Sequence, residues 1–145
     1  MNVSNLSIIV GNSQLILKWK DPDDTILSDQ TIVTWAGTKI VRKAGAYPTN
    51  ELDGVLIYDN QVRNAFATTG LSDTGLTNGV TYYYQAFPYS TDGAVNSNEV
   101  NRISGVPIAV VTYGVRIDIT NSNPETAVTY TDNAVGMVGE NIKKK

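Results

Sequence analysis

Two groups of carboxylates and one row of aromatic rings are the residues of this 145-residue chain whose types and spacing could do chemistry. Asp21, Asp23 and Asp24 sit almost side by side, and hard cations such as calcium take oxygen ligands of this kind. The spacing lacks the regular ligand repeat and closing bidentate glutamate of a calcium loop, so the run reads as a solvated turn around Pro22. Glu51, Asp53 and Asp59 could supply the carboxylate pair of a glycoside hydrolase. They fall in loop-like positions of a small chain with no sign of a cleft. Gly70, Gly75 and Gly79 read as turn glycines, because they match no phosphate-binding pattern ahead of a helix. The sequence has neither histidine nor cysteine. That removes His-dependent triads, thiolate nucleophiles, disulfides and nearly every zinc site. The expectation is a non-enzymatic protein with no catalytic residue, no cofactor and no metal.

The aromatic row lies in "LTNGVTYYYQAFPYSTDG", Leu76–Gly93, where five of the twelve aromatic residues fall between Tyr82 and Tyr89. In a strand alternate residues share a face, so Tyr82, Tyr84 and Ala86 point one way and Tyr83, Gln85, Phe87 and Tyr89 the other. Leu76, Gly79 and Tyr82 follow at a spacing of three and three, which sets an apolar plug, a tight turn and a tyrosine at the strand entrance. The phenol can then reach back to a backbone group of the turn. That puts Tyr82 and Tyr84 in the core. Tyr83, Phe87 and Tyr89 are left as a candidate contact surface, since aromatic rows anchor interfaces or stack on sugars. The plainer reading packs them under a loop.

The elements that position these residues are short strands. Val, Ile, Thr and Tyr are plentiful, no long stretch repeats at helical spacing, and charged residues make up only 17%, which favours an all-β chain. Strands are expected at Leu6–Val10, Gln14–Lys20, Ile32–Trp35, Thr38–Lys43, Val55–Asn60, the tyrosine stretch and Glu99–Val106, with a further segment at Asn64–Leu71. In "QLILKWK" Leu15, Leu17 and Trp19 share one face. Seven short strands in about a hundred residues is the spacing of an immunoglobulin-like β-sandwich. Residues 1–107 are therefore expected to form that domain. Residues 108–145 restart the pattern, with Val111, Tyr113, Val115, Ile117 and Ile119 on one face. They are too few for an independent core, so Tyr113, Val115 and Ile117 are expected to be buried against a partner chain.

Charge bounds the partners. The net charge is −3, but Lys143, Lys144 and Lys145 end the chain, and the remainder sets eight basic side chains against fourteen acidic ones. So acidic a body suits no phosphate backbone, and nucleic acid is not an expected partner. The terminal lysines read as a solvated tail. "MNVSNLSIIVGN" has no basic start and too short an apolar run for a signal peptide, and nothing approaches a membrane span. The protein is expected to be made in the cytoplasm and to leave a cell by lysis or within a particle.

Several stretches resemble one family in the right order. "LTNGVTYYYQA" resembles the tyrosine corner of a fibronectin type III domain, and "LILKWKDPDD" its second strand with Trp19 as the core tryptophan. "GTKIVRKAG" resembles its third strand and "SNEVNRISGVP" its last. The wording of "KIVRKAGAYPTNELDGVLIYDN" and "TYYYQAFPYSTDG" is similar to fibronectin-like modules of tail-associated proteins in phages and prophages of Gram-positive bacteria. "YGVRIDITNSNPETAVTYTDNAVGM", Tyr113–Met137, resembles a segment of phage tail fibre and receptor-binding proteins that commonly precedes a larger region. Here eight residues follow it. The resemblance implies a structural or adaptor protein of the virion tail, a spacer or docking module near the host-attachment end. Its implied partners are other tail or baseplate proteins and further copies of itself. The rival expectation is a carbohydrate-binding module for bacterial cell-wall polysaccharide. An accessory domain of a secreted hydrolase would call for an export signal and a catalytic domain.

Overall fold

The structure is a computed structural model that describes residues 1–110. These form an all-β sandwich. One sheet has three strands in the order β1-β2-β7: β1 (Ser4–Gly11), β2 (Gln14–Lys20) and β7 (Leu71–Thr74). The other has four in the order β6-β5-β8-β9: β5 (Trp35–Ala44), β6 (Val55–Asn60), β8 (Tyr82–Ser90) and β9 (Arg102–Gly105). A two-stranded ribbon, β3 (Thr25–Ile26) with β4 (Ile32–Val33), projects between β2 and β5. All pairings are antiparallel.

Alternation drives the packing. Leu15, Leu17 and Trp19 leave β2 on one face and are almost wholly buried, facing Ile40 of β5 and Tyr84 and Ala86 of β8. Leu71, Leu76 and Val3 close the same core, and Phe66 packs on the Trp19 ring at 5.1 Å. At roughly 1.5–3 kcal/mol for each large apolar side chain removed from water, this cluster is the main source of stability.

The expected tyrosine corner is present. Leu76 is buried, Gly79 turns the chain at φ +83°, and the Tyr82 hydroxyl accepts a hydrogen bond from the Thr77 N–H at 3.1 Å. Gly79 also donates its N–H to the Pro107 carbonyl at 2.8 Å, tying the turn to the chain leaving β9.

Three sequence expectations shift. Asn64–Leu71 forms no strand; pairing starts at Leu71 and runs through "LSDT", where Leu71 and Asp73 point inward. The expected Glu99–Val106 strand opens as a short 3-10 turn at Glu99–Asn101, because the Asn98 side chain accepts from the Val100 N–H and caps it. Trp35 belongs to β5 rather than to the strand before it.

The Asp21–Asp24 run is a larger correction. Asp23 and Asp24 are exposed, but Asp21 is buried and its carboxylate is fully used. Its Oδ1 accepts from the Trp19 indole N–H and the Thr38 hydroxyl, both at 2.7 Å. Its Oδ2 accepts from the Asn60 amide at 2.9 Å and the Asn64 backbone N–H at 2.7 Å. The Asp21 N–H in turn donates to the Asn64 side chain. Four donors from β2, β5, the end of β6 and the following loop thus converge on one carboxylate, and Trp35 joins through its indole bond to Thr38. Replacing Asp21 by alanine strands these donors in the interior. Urea unfolding followed by tryptophan fluorescence should show a loss of about 3 kcal/mol or more. Asp23→Ala, at an exposed position, should stay within about 0.5 kcal/mol of the parent.

Candidate functional site

The outward face of the four-stranded sheet holds the residues the sequence nominates for contact. Register fixes which they are: Lys43 faces Tyr83, Val41 faces Gln85, Lys39 faces Phe87 and Gly37 faces Tyr89. The structure separates them.

Phe87 is fully buried, as are Val41 and Gln85 beside it, so it offers no surface and is withdrawn from the contact set. The physical reason is that this face carries a layer of its own. Gln85 donates to the Ser97 carbonyl at 2.9 Å and accepts from the Arg102 Nε at 2.7 Å. The Arg102 guanidinium lies over the Tyr47 ring at 5.4 Å, and Tyr47 meets Tyr83 edge-on at 4.9 Å. The loop after β5 and the segment before β9 thereby enclose the middle of the sheet.

Tyr89 is half-buried and held in place. A Cβ at Gly37 would collide with the Tyr89 ring, so only glycine lets the ring lie across β5. Its hydroxyl donates to Asp59 on β6 at 2.9 Å, and Lys39 sits over the ring at 5.5 Å. Burial, helped by the Asp59 carboxylate, raises the phenol above its ordinary pKa. Tyr83 remains half-buried and partly accessible beside Tyr47. Tyr113, Val115 and Ile117 lie outside the described residues.

The carboxylates also part. Asp59 serves Tyr89, while Asp53 binds Lys43 at 2.7 Å and accepts from the Thr49 N–H and hydroxyl. They stand at opposite ends of β6, whose Val55-to-Asp59 run alone spans about 13 Å at strand rise. That exceeds the separation of roughly 5–9.5 Å that glycoside hydrolysis uses. A third carboxylate, Asp73, bridges the sheets. It takes two bonds from Arg42 Nη1 and one from the Tyr84 hydroxyl, each at 2.7 Å. Burial first, and then the Asp73 carboxylate, pushes the Tyr84 phenol far up, so it stays a proton donor.

Two exposed apolar features were not foreseen. At the end of the sandwich that carries Met1, the β3–β4 ribbon and the turn after β8 frame an apolar cleft of about 210 Å³, lined by Met1, Leu27, Val33, Ala94 and Val95. Along one sheet edge, β6 and its flanks expose Leu52, Val55, Leu56, Tyr58 and Val62. Alternation alone could not reveal either, because both depend on which strand ends up at an edge. Asp21 was legible in principle: it continues the i, i+2 series Leu15, Leu17, Trp19 inward by one step.

The Lys43 bond, followed by those from Thr49, lowers the Asp53 carboxyl to about 2. A group depressed in the folded state favours folding above its unfolded pKa of roughly 3.9, and that contribution is lost as pH falls through the folded value. Carboxyl chemical shifts should therefore place the Asp53 midpoint near 2 in the parent protein, and Lys43→Met should move it up toward the ordinary range. No protein-family model matches the chain, and a search of curated proteins returns no match.

Proposed function

We propose that the chain is a non-enzymatic structural or adaptor protein of a phage tail or tail-like particle, with residues 1–107 as a fibronectin type III-type spacer or docking module. The observation that best supports this reading is where the chain enters and leaves the sandwich. Met1 lies at one end, its carbonyl accepting from Asn96 beside the last residues of β8. Ile108 lies at the other, donating its N–H to the Gly11 carbonyl in the β1–β2 turn at 3.2 Å. The two points are separated by the length of the strands, about 30 Å for the nine residues of β8. A module entered at one pole and left at the other adds its full length to whatever it joins.

Further support comes from the motifs. The strand order of the two sheets, the buried Trp19 and the Thr77–Tyr82 hydrogen bond are what the fibronectin-like resemblance implies. The phage assignment rests on the wording of the sequence. Residues 108–137 would join neighbouring copies or another tail protein by strand addition.

The carbohydrate-binding reading has Tyr83 and Tyr47 in its favour. The edge of one ring is spent on the other, however, and Arg102 covers a face of Tyr47. Sugars need such faces free.

The test is location. An epitope tag on this protein, visualised by gold labelling of purified particles, should mark the tail near its host-facing end. Particles that carry no label while the tagged protein stays in the lysate overturn the assignment. In parallel, purified chain should not co-sediment with cell walls. Co-sedimentation abolished by Tyr83→Ala would favour the glycan reading.

A further inference from the structure

We propose that β6 is a self-association edge, through which two copies of the chain pair antiparallel and join their four-stranded sheets into one of eight strands. The inference goes beyond the spacer reading and does not depend on it.

β6 pairs with β5 on one side only. Among the described residues, no backbone hydrogen bond reaches Val55–Asp59 from any other segment. Alternate N–H and C=O groups therefore point to water along a strand whose neighbours are apolar: Leu52 is 85% exposed, Val55 54%, Leu56 51% and Tyr58 46%. The strand has neither lysine nor proline to blunt it, two of the usual protections of an edge; its one irregularity is the extra residue Ile57, where pairing with β5 shifts between Ile40↔Tyr58 and Val41↔Leu56. The other edges of the two main sheets are guarded. β7 is four residues long and polar on its outer side. β1 and β9, the outer strands at the opposite side, pack against each other, and a Cβ at Gly105 would press on Ile8 and Leu15.

The occupant that fits is a second copy. Gly54–Tyr58 carries no charge, so the strand can face itself without opposing like charges, which an acidic chain meets over most of its surface. With the two-fold axis at Leu56, Leu56 faces its own counterpart on the outer side. Val55 then faces Ile57, and the facing stretch ends short of Asp53, whose charge Lys43 already matches, and of Asp59, which accepts from the Tyr89 hydroxyl. Such isologous, two-fold contacts are the commonest way for identical chains to associate. The contact is small, on the order of 1,000 Å² in total, so the dimer is weak in isolation. It is strengthened when copies are held close together.

Sedimentation of the full chain should show a monomer–dimer equilibrium with a Kd between about 10 µM and 1 mM. Leu56→Lys, at a half-exposed site, should leave the thermal midpoint unchanged and weaken association by about tenfold or more, because it opposes two lysines. Ser72→Lys on β7 should not. The protein contains no cysteine, so Leu56→Cys gives a clean reporter. Antiparallel partners bring Cα atoms to about 5 Å, within reach of a disulfide. Oxidised Leu56→Cys should form a covalent dimer much faster than Ser72→Cys. A chain monomeric at about 1 mM, association equally strong in Leu56→Lys, or equal cross-linking of the two cysteine variants would each overturn the proposal. None of these results bears on whether the protein is found in the tail.

Discussion

The Asp21 carboxylate is the constraint around which the upper half of the sandwich is arranged. It joins β2 to β5 through Thr38 and to the end of β6 through Asn60 and Asn64, while fixing the Trp19 indole at the centre of the core. A buried charge is costly unless every lone pair is matched. Here four donors meet it, and no buried side-chain polar atom among the described residues lacks a partner. Apolar packing alone would tolerate a shift of one sheet over the other. Four directional bonds to one carboxylate do not.

Asp73 fulfils a related role nearer the other end. It fastens β7 to Arg42 of β5 and Tyr84 of β8, so the sheets are tied by an ion pair on one side and by a neutral donor network around an acid on the other. Tyr82 and Tyr84, adjacent on the inner face, thus have different duties. One closes the turn before β8; the other reaches across the sandwich.

Much of this fold was legible in the sequence. The period-two pattern of β2 gave its buried face, and the spacing of Leu76, Gly79 and Tyr82 gave the corner. What escaped was whatever depends on partners distant in sequence. Asp21 looked like a turn residue because its neighbours are Pro22 and two exposed aspartates, and its donors come from as far away as Asn64. Ser72, Asp73 and Thr74 fell outside every expected strand, yet they pair with β2 and Asp73 is buried by its bond to Arg42. Phe87 was set on the outer face by alternation, and the register agrees. Its burial goes with the segment 95–97, which runs along β8 there and bonds Pro88 and Gln85 on either side of Phe87, and no local pattern encodes that. The candidate site therefore contracted to Tyr83, with Tyr47 added, and the exposed Val55, Leu56 and Tyr58 lie on an edge that alternation could not distinguish from an interior strand.

The opposite-pole arrangement of Met1 and Ile108 also has a mechanical meaning. Tension applied through the two ends runs along the strands, drawing β1 toward one pole and β9 toward the other. β1 then slides lengthwise against β2, with which it is in continuous register from Gly11↔Gln14 back to Ser7↔Lys18, the pairing shifting before Ser4↔Lys20. Loading of that kind strains the ladder bonds together instead of opening them one at a time from an end. A sandwich threaded this way resists extension as a tether and does not unzip.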